Sequence, residues 1–282
     1  MTNATFSPSS AKVKFRLAGG AQPLILLPVH VNGRGPFDFI FDTGAGTSLL
    51  STELAQQLDV KILGTKEGQG AGGKISVSLA KVDSIALGEM RLGDVDVGLV
   101  DFAPIGKAVG SKIDGNLGYN FLRHFRLTLD YRDSMIQLED PKRIENFAIG
   151  AKTEVPFRLA NPAKPLILVD VHINSRGPFQ FAIDTGTSTS AITPELAKEL
   201  ELQTSEIPPI TGGGGQIPAS AATVESFQLG GAKIDNVTVV VANFFTMLSA
   251  VIGAKFDGIV GYNFLRNYKV VIDYLGETLT LF

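Results

Sequence analysis

Two aspartates stand in the same short context, at Asp42-Thr43-Gly44 and at Asp184-Thr185-Gly186. Each tripeptide closes an apolar run, Phe39-Ile40-Phe41 or Phe181-Ala182-Ile183. Each then opens onto small and hydroxyl side chains, Ala45-Gly46-Thr47-Ser48 or Thr187-Ser188-Thr189-Ser190. A lone Asp-Thr-Gly is often only a strand-ending turn. Two at equivalent places mean more, because two carboxyls a hydrogen bond apart cannot both ionise cheaply and hold one proton between them. Such a pair can work as base and acid together, one taking a proton from a water while the other protonates a carbonyl oxygen, with no covalent intermediate. Gly44 and Gly186 suit a tight turn, with a positive φ as one reason for glycine. Thr43 and Thr185 can hydrogen-bond across the pair, and β-propensity alone is the plainer reading of their presence.

What would bring the two together is an internal repeat. Residues 23–44, PLILLPVHVNGRGPFDFIFDTG, recur 142 positions later as PLILVDVHINSRGPFQFAIDTG. At that offset Val13–Ala18 also matches Val155–Ala160, and Ser51–Ala55 matches Thr193–Ala197. One residue is then gained, and Asp114–Arg123 matches Asp257–Arg266. The repeats run from about 13 to 139 and from about 155 to 282. A period this long indicates duplicated domains and not a solenoid, whose units are usually about 20–50 residues. The predicted lobes are residues 1–143 and 144–282, joined through the charged segment Asp140-Pro141-Lys142-Arg143. A pseudo-twofold axis between such lobes would set equivalent residues face to face.

Each repeat reads as short β-type runs with turn punctuation, for example Leu24–Leu27, Phe37–Phe41 and Val95–Val100. One helix per repeat is predicted after the Asp-Thr-Gly. In the second copy Thr193 caps it, Pro194 takes its first position, and Leu196 and Leu200 fall four apart; the first copy's counterpart is roughly Thr52 to Leu58. A further turn after each Gly-Tyr-Asn is too short to assign. The Arg-Gly-Pro-Phe segments at 34–37 and 176–179 read as hairpin turns leading into the aspartate strands. Asp94, Asp96, Asp130 and Asp273 read as the wet face of alternating strands.

The Asp-Thr-Gly-[Ala/Thr]-x-[Thr/Ser] wording, a Gly-rich segment about thirty residues on, and a later apolar-apolar-Gly resemble retropepsin-family aspartic proteases, and the Asp-Gly-x-x-Gly-x-x-Phe-Leu wording from Asp114 and from Asp257 most resembles bacterial members. The resemblance covers nearly the whole chain. Aspartic proteases are the established case of a carboxyl pair sharing one proton. The resemblance implies a mainly β fold of two retropepsin-like acid-protease lobes, with Asp42 and Asp184 as the catalytic pair and Thr43, Gly44, Thr185 and Gly186 as its support. It further implies that Leu117-Gly118 and Ile259-Val260-Gly261 pack against the aspartate strands. Asn116, standing where the second copy has Ile259, departs from the pattern. Gly70, Ala71, Gly72 and Gly73, with Gly213, Gly214 and Gly215, look like the tips of two flap hairpins, where glycine permits close backbone approach and movement. A phosphate-binding loop is disfavoured because no Gly-Lys-Ser/Thr accompanies them; a plain surface loop is the bland alternative.

The remaining composition narrows the function. The chain has 282 residues, a formal charge of −3 and no Lys/Arg-rich run, which disfavours nucleic acid and anionic membranes as partners. No apolar stretch reaches eighteen residues, so no membrane insertion of this segment is expected. The absence of cysteine excludes disulfides and thiolate chemistry. No cofactor and no metal are expected: His30 and His172 recur with the repeat, lack clustered partners and read as structural. Ser48 and Ser190 lack a His partner, which argues against a serine hydrolase. The expected activity is aspartic endopeptidase action on a peptide or protein by a monomer, with subsites that differ on the two sides. The alternatives are a catalytically silent peptide-binding or scaffold domain, and lobes exchanged between two chains. The polar opening MTNATFSPSSA fits a frayed cytoplasmic end or an exported, periplasmic domain, with export slightly favoured.

Overall fold

The structure is a computed structural model describing residues 9–143, 150, 153–162 and 164–282. The polar opening up to residue 8 and the stretch that follows Arg143 through residue 149 lie outside the described residues.

The fold is mainly β, with two lobes that repeat one another strand for strand. In the first lobe the sheet order is Arg16–Ala18, Leu24–Val31, Arg34–Phe41, Gly115–Leu117, Leu49–Ser51, Met90–Val100, Gly73–Leu87 and Ile62–Gly70. The second lobe runs in the same order through Arg158–Asn161, Lys164–Ile173, Arg176–Ile183, Gly258–Val260, Ala191–Ile192, Ala232–Ala242, Gly215–Leu229 and Ser205–Gly212. In both, the second strand also pairs with the seventh, which curls the sheet back on itself.

Alternation explains why the strand runs are apolar on both faces. Ile25, Leu27, Val29 and Val31 point into the main core, while Leu24 and Leu26 join a separate small cluster with Ile40, Phe102 and Ile113. The second lobe does the same, Ile167, Val169, Val171 and Ile173 facing the main core and Leu166 and Leu168 facing a cluster with Phe244, Phe245, Phe256 and Ile259. Phe39, Phe41, Phe181 and Phe227 are fully buried; each such ring contributes roughly 1.5–3 kcal/mol.

A third sheet joins the lobes. It is antiparallel and runs Ser10–Lys14, Met135–Glu139, Arg126–Asp130, then Lys269–Asp273, Thr278–Leu281 and Thr153–Pro156. At the seam Arg126 stands opposite Asp273 and Asp130 opposite Lys269. Leu127, Leu129, Val270 and Ile272 belong to one core that continues through both lobes. Asp130, read from sequence as a wet-face residue, instead carries a cross-lobe ion pair, with Lys269 Nζ 2.7 Å from its Oδ2. Asp140 likewise is buried, receiving the Lys142 N–H at 3.0 Å, so the expected linker begins as an ordered turn.

Two local expectations change. The hairpin turns sit earlier than Arg-Gly-Pro-Phe: Asn32 and Gly33 have φ of 52° and 72°, and Asn174 and Ser175 have 52° and 61°. Positive φ at both central residues is what a two-residue hairpin needs to match strand twist. Gly35-Pro36 and Gly177-Pro178 are cis and lie inside the strands. The predicted helices form at Thr52–Gln57 and Pro194–Glu199, capped by the hydroxyls of Ser51 and Thr193, which accept from Leu54 N and Leu196 N at 3.0 Å. Among the described residues each lobe nonetheless has two more, Ala103–Val109 and Tyr119–Leu122 in the first, Phe245–Ile252 and Tyr262–Leu265 in the second.

Candidate active site

Both aspartates leave the end of a strand that pairs in parallel with the apolar-apolar-Gly segment. Phe39, Ile40 and Phe41 register against Gly115, Asn116 and Leu117, and Phe181, Ala182 and Ile183 against Gly258, Ile259 and Val260. The Asp42 N–H donates to Leu117 O and the Asp184 N–H to Val260 O, each at 3.1 Å. The segments that hold the two carboxyls thus have the same backbone scaffold, built twice.

The loops are then tied to each other. Thr43 and Thr185, both almost inaccessible, exchange bonds: each N–H donates to the other's Oγ1 at 3.1 Å. Thr43 Oγ1 donates to Ile183 O at 3.0 Å and Thr185 Oγ1 to Phe41 O at 2.8 Å. Gly44 and Gly186 are not in the positive-φ region. Their need for glycine is close approach: a Cβ on Gly44 would lie 2.6 Å from Asp184 Cγ, and one on Gly186 2.9 Å from Asp42 Cγ. The two loops lie against each other's carboxyl groups.

A second ring of bonds fixes the loops from behind. Ser48 Oγ donates to Asn120 Oδ1 at 2.8 Å and accepts from Gly118 N at 3.0 Å, while Asn120 Nδ2 donates to Asp96 O. Ser190, Asn263, Gly261 and Thr238 repeat this pattern. The two serines are therefore committed to structure. Asn120 and Asn263 went unread in the sequence, and their recurrence inside Gly-Tyr-Asn was the available signal.

The carboxyls themselves are bonded differently. Asp42 Oδ1 accepts from the Gly44 and Ala45 N–H groups at 3.0 Å each, and its Oδ2 from Asn116 Nδ2 at 2.8 Å. Asp184 Oδ1 accepts from Gly186 N at 2.8 Å, and its Oδ2 pairs with Thr187 Oγ1 at 2.9 Å. Burial first, then the charge of Asp184, push the Asp42 carboxyl from 3.8 up to about 7, against the pull of Asn116, Ala45 and Gly44. Burial raises Asp184 as well, against Thr187, Gly186 and a hydrogen bond with Asp42. So placed, the pair keeps one proton until near neutral pH. Tyr274 lies within reach of this charge: burial, Tyr119 and Asp42 together push its phenol far above the ordinary range.

The glycine-rich segments are the tips of two long hairpins, Ile62–Gly70 with Gly73–Leu87 and Ser205–Gly212 with Gly215–Leu229. The tips meet backbone to backbone, Gly72 N donating to Gly213 O at 2.8 Å. A Cβ on Gly70 or Gly72 would collide with the backbone of Gly213 or Gly215, and one on Gly214 would come 2.5 Å from Gly73 O. Ala71 packs against the second lobe's apolar cluster, the one that contains Ile259. His30 and His172 lie on the preceding strands, Leu24–Val31 and Lys164–Ile173. A groove of about 730 Å³ lined by Pro194, Lys198, Glu206, Pro209 and Pro218 touches neither aspartate.

A family model described as aspartyl protease matches the chain twice, over residues 27–121 and 169–264, and each match contains one Asp-Thr-Gly. No curated protein matches the chain.

Proposed function

The chain belongs to the aspartyl protease family, and from that premise we propose that it is an aspartic endopeptidase whose catalytic pair is Asp42 and Asp184, one from each repeat. The reading rests on one observation above all: two half-buried carboxyls, each packed against the other's Asp-Thr-Gly loop, both with raised pKa values. Perturbed, paired titratable groups of this kind mark functional sites more often than structural ones.

The chemistry follows from a single shared proton. The ionised carboxyl takes a proton from a water held between the pair, and the water oxygen bonds to the scissile carbonyl carbon. The other carboxyl gives its proton to the carbonyl oxygen, leaving a tetrahedral diol. In the second step the carbon–nitrogen bond breaks, the nitrogen taking the first proton while a diol hydroxyl returns one to the other carboxyl. A carboxylic acid and an amine leave, and the pair is restored. Thr43 and Thr185 hold the two loops at the separation this requires; Gly44 and Gly186 let them approach.

The lobes take their boundary at residues 143 and 144, and the hairpins carrying Gly70–Gly73 and Gly213–Gly215 serve as flaps that open for an extended peptide and close over it. Divergence between the two apolar clusters, Phe102 and Ile113 against Phe244, Phe245 and Phe256, underlies unequal subsites. The test is cleavage of an unfolded protein from about pH 3 to 7 by the wild type, Asp42→Asn and Asp184→Asn. Cleavage lost in both variants supports the pair. Full activity in either variant defeats it, and a folded wild type that cuts nothing turns the reading to a peptide-binding domain.

A further inference from the structure

The two halves of the pair are not chemically equivalent, and the difference lies in one side chain. Where the second lobe has Thr187 beside its aspartate the first has Ala45, which carries no hydroxyl. An amide takes that place from the neighbouring strand: Asn116, buried at 4 % exposure, where the second lobe has Ile259. Its orientation is fixed chemically. Asn116 Oδ1 accepts the Leu49 N–H at 2.8 Å, so the group facing Asp42 Oδ2 at 2.8 Å is the NH2. An amide NH2 only donates, whereas the Thr187 hydroxyl at Asp184 Oδ2 can donate to a carboxylate or accept from a carboxylic acid.

We propose that Asn116 is a positioning residue that breaks the symmetry of the pair, holding Asp42 as the carboxylate and leaving the shared proton on Asp184. Outside the pair itself, Asp42 has three donors and no acceptor for a proton, and Asp184 has one backbone donor and an ambivalent hydroxyl. The titratable groups acting on Asp42 are Asp184 and the neutral phenol of Tyr274, which itself lies edge-on to Tyr119 at 5.3 Å. The pair shares its last proton to near neutral pH. Which carboxyl gives up the first proton is set by the donors around each. In the peptidase reading, on which this assignment of roles rests, Asp42 is the base that takes the water proton and Asp184 the acid that protonates the carbonyl oxygen. The following step reverses both transfers, the nitrogen receiving its proton from Asp42 and the diol returning one to Asp184.

The experiment is a carboxyl-carbon NMR titration of the full chain with 13C-labelled aspartate, from about pH 3 to 8, with Asp42→Asn and Asp184→Asn serving only to assign the signals. In the wild type Asp42 should ionise first and Asp184 last. Asn116→Ile, which copies the second lobe, should raise the first ionisation by roughly one unit, a tenfold gain in proton affinity. The exchange Asn116→Ile with Ile259→Asn should reverse the order. Asp184 ionising first in the wild type, or an Asp42 signal unmoved in Asn116→Ile, overturns the proposal. The wild-type order decides by itself if a variant fails to fold. Peptide cleavage is read separately, so a chain that titrates in this order but cuts nothing defeats the peptidase reading and not the asymmetry.

Discussion

Thr43 and Thr185 bond to each other reciprocally across the lobes, each hydroxyl accepting the other's N–H at 3.1 Å while donating to the carbonyl of residue 183 or 41. Neither hydroxyl can be removed without stranding two backbone groups on the other lobe. Thr43→Val should leave the Thr185 N–H and the Ile183 carbonyl buried and unpaired, at a cost of about 1–3 kcal/mol for each group. Thr43→Ser keeps the hydroxyl and should cost under about 1 kcal/mol. Urea unfolding of the two variants checks this, and equal midpoints for Val and Ser would mean the network does not bear on stability.

The pair should also destabilise the fold at neutral and alkaline pH. A carboxyl ionises at 3.8 in the unfolded chain, whereas the folded pair keeps its last proton to about 7. The sign is that of a raised folded pKa: the folded state binds the extra proton, and the advantage present below 3.8 is lost as pH rises to about 7. Asp42→Asn removes this penalty. Its unfolding free energy should exceed the wild type's at pH 8, by an amount on the order of a few kcal/mol, and approach it near pH 4, as read by denaturant unfolding. A constant difference across that range would place the cost elsewhere.

The cross-lobe bridge behaves in the opposite sense. Burial pushes Asp130 up, but the Lys269 hydrogen bond and charge and two backbone donors hold it below its usual value. A lowered folded pKa gives stability that is present above 3.8 and lost as pH falls through the folded value. Lys269 is half exposed, so solvent screening keeps the bridge to about 1 kcal/mol. Asp130→Asn should therefore be less stable than the wild type at pH 7, with the difference shrinking as pH falls below 3.8, measured by denaturant unfolding across that range.

The duplicated scaffold was legible because it is written locally: apolar alternation, turn residues and a motif repeated at a constant offset. The aspartate loops follow from that alone. What escaped was either uncapped or non-local. Ala103–Val109 and Phe245–Ile252 begin without a hydrogen bond from the N-cap side chain, and their sequence signals are sparse, Pro104 in the first turn of one and Gly110 and Gly253 at the far ends. Asn116 read as a mere departure because its bond to Asp42 depends on a parallel pairing between segments 74 residues apart. Asp130 read as exposed because Lys269, which covers it, belongs to the other lobe. The glycines of the Asp-Thr-Gly loops are held to glycine by the facing carboxyl and not by φ.

The hairpin tips give the last prediction. Gly72 is not in the positive-φ region, so Gly72→Ala tests close approach without backbone strain. Its Cβ would strike the backbone of Gly215, and the Gly72 N to Gly213 O bond could not form at its present 2.8 Å. The tips should separate while both lobes, whose cores lie elsewhere, keep their stability. Limited proteolysis should then cut near residues 70–73 and 213–215 faster than in the wild type, with the unfolding free energy changed by less than about 0.5 kcal/mol. In a peptidase that uses these hairpins as flaps, KM should rise severalfold more than kcat falls, since substrate loses the closed backbone surface before the carboxyl pair is disturbed. Unchanged proteolysis would show that the tips do not need each other, and a kcat loss with KM constant would place the effect on the chemistry of the pair.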